Sequence, residues 1–441
     1  MKKQNVTVVG GGSTYTLGMM MSLIAEKENF PMANVVFYDI DAERQALNGQ
    51  ATEVLFKEHY PELESFKYTT DKKEAFENAD FFFVQIRTGG LEMREKDEQI
   101  ALRHNCVGQE TCGAGGMAYG LRSIGDMFSL IDDIRQFNKD GWILNYTNPA
   151  AIVAEAIQRQ YPNDQRILNV CDMPAAIMVS YATALNCNFW DLVPEYFGLN
   201  HYGWFNKIKH RNGEDLTEKL KDIILHEGIK AVDAEIVNDP SWQATFKNMK
   251  TMLEDNPDYL PNTYLQYYLY PEKMVAKEDV NNTRARQVIN GREKRVFEQC
   301  KRIIEAGSTN GEDLHSDIHG RYMVRIAASL AYNKGDTYIV IVPNNGIIRN
   351  IQDDAMVEVH SSLTSNGPMP FSVGHIPTFQ KAMIETQLGY EKLVVDAWFS
   401  GNKQDLINAL TLNRTVVNTP KAKAIVADVL EANKQYLPQF N

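Results

Sequence analysis

An excess of basic residues, a regular cysteine framework and a long apolar run are all missing from this chain of 441 residues. Lys and Arg number 45 against 57 Asp and Glu, giving a formal charge of -12. A general nucleic-acid binder needs a basic face, so that class is excluded. An anionic small molecule is not excluded, because a few arginines can hold one locally. The five cysteines are Cys106, Cys112, Cys171, Cys187 and Cys300. Their odd number and irregular spacing make a poor disulfide framework and suit a reducing cytoplasm. No stretch supplies the roughly 20 apolar residues of a membrane span. The opening MKKQNVTVVGGGST reaches glycine after one strand's length, so no signal peptide is expected either. Linkers rich in Pro or Ser, internal repeats and low-complexity segments are absent too, which points away from loosely strung domains.

What is present is an alternation of buried-type strands and helices. Val6-Thr7-Val8-Val9 runs into glycines and then into the apolar segment Leu17 to Ile24, a strand, tight turn and helix. The runs at 34–39, 81–86, 142–146 and 166–170 repeat the strand pattern, with helices expected over 124–138 and 150–159. Such alternation predicts an α/β fold: a Rossmann-like, doubly wound parallel sheet covered on both faces. The pattern changes after about residue 195. Glu195 to Trp204 reads as a strand carrying polar groups, and helices over 293–305 and 317–333, a strand over 337–342 and a helical tail from Thr378 follow. We therefore expect a dinucleotide-binding domain over 1–195 and a closely packed, helix-rich α+β domain over 196–441.

In such sheets chemistry gathers at the carboxyl ends of strands, where Gly10, Arg87, Asn145, Asn148 and Cys171 fall. Gly10-Gly11-Gly12-Ser13-Thr14 follows a strand and opens a helix, the context of a dinucleotide turn. Tyr15 stands where the third glycine of that pattern belongs. Asp39, at the end of the second strand, is placed for a ribose hydroxyl and favours NAD over its phosphorylated form. Cys171 and Asp172 end another buried strand, and Asn200-His201 ends the next. A Cys and a His converging from neighbouring tips could hold a metal with open positions, although a buried Cys is as readily plain core. The softness of a thiolate points to zinc or ferrous iron. Arg94, Arg284 and Arg292 are candidates for an anion. Tyr264 lies in the polar aromatic cluster PNTYLQYY; its pKa of about 10 must fall near a cation before it can serve as a base.

Taken together, GGGST near the start, VGQETCG at 107–113, NYTNPAA at 145–151, CDMP at 171–174, GLNHYGW at 198–204 and LPNTYLQYY at 260–268 resemble glycoside hydrolase family 4 across essentially the whole chain. That family is an exception to hydrolysis by two carboxylates. CDMP is similar to members acting on 6-phospho-α-glucosides; those acting on β-linked phosphoglucosides tend to carry Asn, and those acting on unphosphorylated α-sugars His, at the Asp172 position.

The resemblance implies NAD and manganese, with other divalent ions open, as cofactors of a glycosidase acting on a phosphorylated disaccharide or α-glucoside such as maltose 6'-phosphate. It implies Gly10, Gly12, Ser13, Thr14, Asp39 and Arg87 at the cofactor, and Cys171 and His201 as metal ligands. Asp172 would be general acid, Tyr264 the base and Glu110 the residue that makes that base stronger. Arg94, Asn148 and Arg284 would hold substrate and phosphate. A cytoplasmic homodimer or homotetramer is implied as well. The competing readings are an NAD-dependent hydroxy-acid dehydrogenase, a 6-phospho-β-glucosidase of the same family and an NAD-sensing binding protein.

Overall fold

A computed structural model describes residues 1–233 and 236–440 of the chain. Six parallel strands form the heart of the fold: β1 Gln4–Val9, β2 Met32–Tyr38, β3 Ser65–Thr69, β4 Phe81–Val84, β5 Trp142–Asn145 and β6 Ile167–Asn169. Their spatial order is β3-β2-β1-β4-β5-β6. The chain therefore reverses its direction of winding beside β1, which opens a crevice between the tips of β1 and β4. The central strands β1, β4 and β5 are buried on both faces, as their near-continuous Val, Ile and Phe runs require: Val8, Phe82 and Ile143 are each fully inaccessible.

The sheet does not stop at β6. β10 Thr337–Pro343, β11 Met356–Thr364 and β12 Gly367–Pro370 continue it to nine strands, and all three run antiparallel to their neighbours. The stretch after residue 195 thus shares the first sheet. It also builds a second, three-stranded sheet from β7 Leu192–Leu199, β8 Tyr202–His210 and β9 Leu260–Pro261. The expected single strand over 195–204 is in fact a hairpin, with Asn200-His201 at its turn rather than at a strand end. The polar pair Asn200-His201 reads as a strand end, and the turn uses His201 at φ 61° where a glycine would have announced the reversal.

The helix expected from residue 124 begins earlier and spans Gly113–Phe137. Its glycine-rich first turns carry no apolar period. A Cβ on Gly115 would lie 2.2 Å from the Gln109 carbonyl oxygen, so the helix start and the 109–111 backbone can touch only through glycine. That contact sets the position of Glu110. Among the described residues no helix is long and apolar enough to cross a membrane.

Two buried polar contacts generate tests. Arg122 grips both oxygens of Asp97 at 3.0 and 2.5 Å and also donates to Asn433 and the Thr88 carbonyl. Asp97→Leu alone strands a buried guanidinium and should cost about 3–5 kcal/mol in urea unfolding, whereas Arg122→Met with Asp97→Leu should recover much of it. Glu391 lies fully within the core with Gln387 donating to it at 2.8 Å, and burial pushes its pKa up to about 8. The folded state therefore keeps a proton that the unfolded chain loses above its ordinary value, and stability falls as pH rises from about 4.5 to 8. Glu391→Gln should raise Tm at pH 9 and change it little at pH 5.

Candidate active site

The turn after β1 is held from behind. Gly10 has φ 91°, and a Cβ there would meet the Gln85 carbonyl at 2.7 Å. The Asp39 carboxylate, at the tip of β2, accepts the Gly12 N–H at 2.8 Å and the Asp41 N–H at 3.0 Å. Arg44 donates to the Gly12 carbonyl, and Asn48 donates to those of Gly11 and Ser13. With its carbonyls tied back, the turn leads into helix Thr16–Ala25, which has no side-chain cap and no acid in its first turn. Such a terminus suits a pyrophosphate. Tyr15 has a use that the glycine pattern concealed: its ring lies 4.4 Å from the Arg292 guanidinium, and its hydroxyl accepts from it at 2.7 Å.

Across the crevice, Cys171 Sγ stands 3.4 Å from His201 Nε2. Bonds of about 2.0–2.3 Å would put sulfur and nitrogen about 3.1–3.6 Å apart on one ion, so the pair fits a shared divalent metal. The tautomer fits too. The Thr111 hydroxyl donates to Gln109 and so must accept from His201 Nδ1 at 3.1 Å, which leaves the Nε2 lone pair facing Cys171. Burial lowers the His201 pKa to about 4, so the ring is neutral as a ligand must be. Among the described residues no group of three or more His, Cys, Asp or Glu converges as a metal cage. An ion held by this pair alone would have its remaining positions open to oxygen donors.

Tyr264 follows β9 directly. The Asn262 N–H donates to the Gly203 carbonyl of β8, and Asn262 Oδ1 accepts the Tyr264 N–H, which brings the tyrosine over the hairpin turn. Its ring stacks on His201 with centroids 4.1 Å apart. In the protein alone, burial and the nearby Tyr267 and Glu110 push the Tyr264 pKa well above its ordinary value. A cation at the Cys171–His201 pair would act in the opposite direction.

Asp172 lies half-buried beside this pair. Its Oδ2 accepts the Tyr146 hydroxyl at 2.8 Å and His319 Nδ1 at 2.5 Å. Burial opposes ionisation of Asp172, but the His319 charge and both hydrogen bonds overcome it and hold the pKa below the ordinary value. Glu110 is a second half-buried carboxylate, contacted by Arg87 at 2.7 Å and Arg94 at 3.0 Å. Burial works against its charge, yet the two arginines lower its pKa to about 2.

The sequence-selected residues do not all meet at one point. Arg94 is shared between Glu110 and Glu98, while Arg284 lies farther out against Asp239. The Asn148 carbonyl accepts from Ser123 at 3.4 Å. Sequence reasoning missed His319, Tyr146 and Thr111. Tyr146 and Thr111 lie inside the motifs NYTNPAA and VGQETCG and could have been singled out as polar groups next to strand or helix ends. His319 had only a helix start as its signal.

Two family models cover the chain: family 4 glycosyl hydrolase over residues 5–187 and the family 4 glycosyl hydrolase C-terminal domain over 196–416. The chain belongs to family 4 of the glycosyl hydrolases. It is 50% identical to the phospho-alpha-glucosidase PagL of Clostridium acetobutylicum, with 99% of each chain covered. It also matches two crystal structures of 6-phospho-alpha-glucosidase from gut microorganisms, each over 100% of both chains. The complex with NAD and Mn2+ has a TM-score of 0.97 at 49% identity, and the complex with NAD and glucose-6-phosphate has 0.94 at 43%.

The cysteine can be tested directly. Titrated with Co2+, the native protein should develop thiolate-to-metal absorption, and Cys171→Ser should lose that band while retaining its fold by circular dichroism. An unchanged band would remove Cys171 from the coordination sphere.

Proposed function

We propose that this protein hydrolyses 6-phospho-α-glucosides such as maltose 6'-phosphate, releasing glucose 6-phosphate, with NAD and Mn2+ as cofactors. The observation that carries this reading is the Cys171–His201 pair lying between Asp172 and Tyr264, opposite a braced dinucleotide turn. A hydride-transfer enzyme for hydroxy acids needs one acid-base group; here two stand beside a thiol-and-imidazole pair. Thiolate softness alone pointed to zinc or ferrous iron, but we adopt manganese, the ion named in the complex of the 49% identical relative. Two substrate oxygens in the shell would shift it toward a harder ion.

Gly10, Gly12, Ser13, Thr14, Asp39 and Arg87 would hold NAD, and Cys171 and His201 the metal. When bound, NAD supplies a reversible hydride acceptor for C3 of the sugar, and the ion a Lewis acid for O2 and O3. Tyr264 Oη takes the proton from C2, which a ketone at C3 has acidified. Glu110 keeps negative charge near Tyr264, favouring its uptake of that proton. Asp172 rests as a carboxylate beside His319; once it has taken up a proton it acts as general acid, passing that proton to the glycosidic oxygen as the C1–O bond breaks and a C1–C2 double bond forms. Water then adds across that bond, and the hydride returns to C3 with no net redox change. Arg94, Asn148 and Arg284 would orient the phosphosugar, arginine forks suiting a phosphate that the net charge of -12 would otherwise repel. We place the enzyme in the cytoplasm as a homodimer or homotetramer, which its five free cysteines suit.

Hydrolysis in heavy water tests the chemistry. With NAD and Mn2+, the glucose 6-phosphate formed should carry deuterium at C2, and reduced NAD should not accumulate. Cleavage without C2 exchange or cofactor requirement would overturn the elimination, and steady production of reduced NAD would favour a dehydrogenase. Asp172→Asn should slow maltose 6'-phosphate about 10²–10⁴-fold while sparing a 4-nitrophenyl glycoside, whose leaving group needs little protonation.

A further inference from the structure

The surroundings of His319 point to a residue that the scheme above does not use. His319 lies in the first turn of helix Ile318–Tyr332, a position where the helix dipole disfavours a cation. Three carboxylates offset that. Asp172 accepts from Nδ1, and Asp233 Oδ1 faces Nε2 at 3.7 Å. Asp317 caps the helix through the Gly320 N–H at 2.7 Å. Asp233 is itself located by the Ile318 N–H at 3.2 Å. The ring is held by the hydrogen bond at Nδ1, with Asp233 facing Nε2 only at ion-pair distance, and burial is outweighed by these carboxylates, which raise the His319 pKa to about 10.

The consequence for Asp172 is geometric. Its Oδ2 already accepts two hydrogen bonds, from His319 and Tyr146. The side-chain contact at Oδ1 is Cys171 Sγ at 3.9 Å, too long to hold it. We propose that His319 is a positioning residue that, with Tyr146, locks Oδ2 and so makes Oδ1 the oxygen that presents the proton to the glycosidic bond. In the step itself Asp172, first protonated from solvent at the Oδ1 left open by these two donors, passes that proton to the departing oxygen; the C1–O electron pair leaves with that oxygen, and the electron pair left at C2 forms the C1–C2 bond. The negative charge that returns to Asp172 is met by two donors already in place, so no reorganisation is needed at that moment. The proposal rests on Asp172 as the donor.

The test uses the enzyme loaded with NAD and Mn2+. His319→Leu should lower kcat on maltose 6'-phosphate about 10²-fold, leave KM within about twofold and spare the 4-nitrophenyl substrate. Deuterium should still enter C2 of unreacted maltose 6'-phosphate, because proton abstraction precedes the impaired step. His319→Asn, whose amide can donate from near the Nδ1 position, should restore much of the rate. Tyr146→Phe should show the same leaving-group pattern more weakly, and it keeps the proposal testable if His319→Leu does not fold. Equal losses on both substrates, or His319→Asn no better than His319→Leu, would overturn the assignment. If Asp172→Asn itself shows no leaving-group dependence, the donor role of Asp172 fails instead. If Asp172→Asn shows it and neither His319→Leu nor Tyr146→Phe does, only the positioning role is lost.

Discussion

The contact between Cys171 and His201 requires two sheets to be packed together. Cys171 leaves the tip of β6 in the large sheet, and His201 caps a hairpin in the small one. They meet because β10 and β11 extend the first sheet past β6 and β7 packs against β11. Asn200, beside the histidine, donates to the fully buried Glu358 of β11 at 3.0 Å, tying the hairpin turn to the strand beneath it. A shift of either layer by even an ångström would take sulfur and nitrogen out of range of a common ion. The precision of the site is thus the precision of a close-packed core.

Around that contact the protein buries charge in compensated groups. Glu110 is neutralised by Arg87 and Arg94, Asp172 by His319, and His319 in turn by Asp233 and Asp317. Each unpaired charge would be costly at this depth, while the sets together stay ordered. Two carboxylates a short way apart therefore have different surroundings. Glu110 answers to arginines that keep their charge, and Asp172 to a histidine and a tyrosine that bear on its proton. Both are held below the ordinary carboxylate value, Glu110 by fixed charges and Asp172 by a partner whose own charge depends on pH.

Much of this was legible before any coordinates. The β-branched runs, the glycine turn and Asp39 foretold the parallel sheet and its crevice, since strand burial and turn geometry are local demands on residue type. The roles of Cys171, Asp172, His201, Tyr264 and Glu110 were legible only through the resemblance of their motifs to family 4, since no local demand of strand or turn assigns them. The hairpin at Asn200-His201 could not be read, because its turn places His201, not a glycine, in the left-handed conformation. The helix start at Gly113 was equally hidden, its glycines serving contact with the 109–111 backbone rather than marking an end.

Local sequence, then, determined which residues can make strands, turn tightly, bind a soft ion or carry a proton. The tertiary structure decided which of them meet. His319 lies 147 residues after Asp172, and no periodicity or spacing links the two. Their hydrogen bond exists because helix Ile318–Tyr332 packs beside helices Thr16–Ala25 and Met173–Leu185. Tyr15, an apparent defect in the glycine pattern, likewise takes on a role only through Arg292, 277 residues away. Hydrogen bonds and ion pairs of this kind act over a few ångströms in space, whatever the distance along the chain.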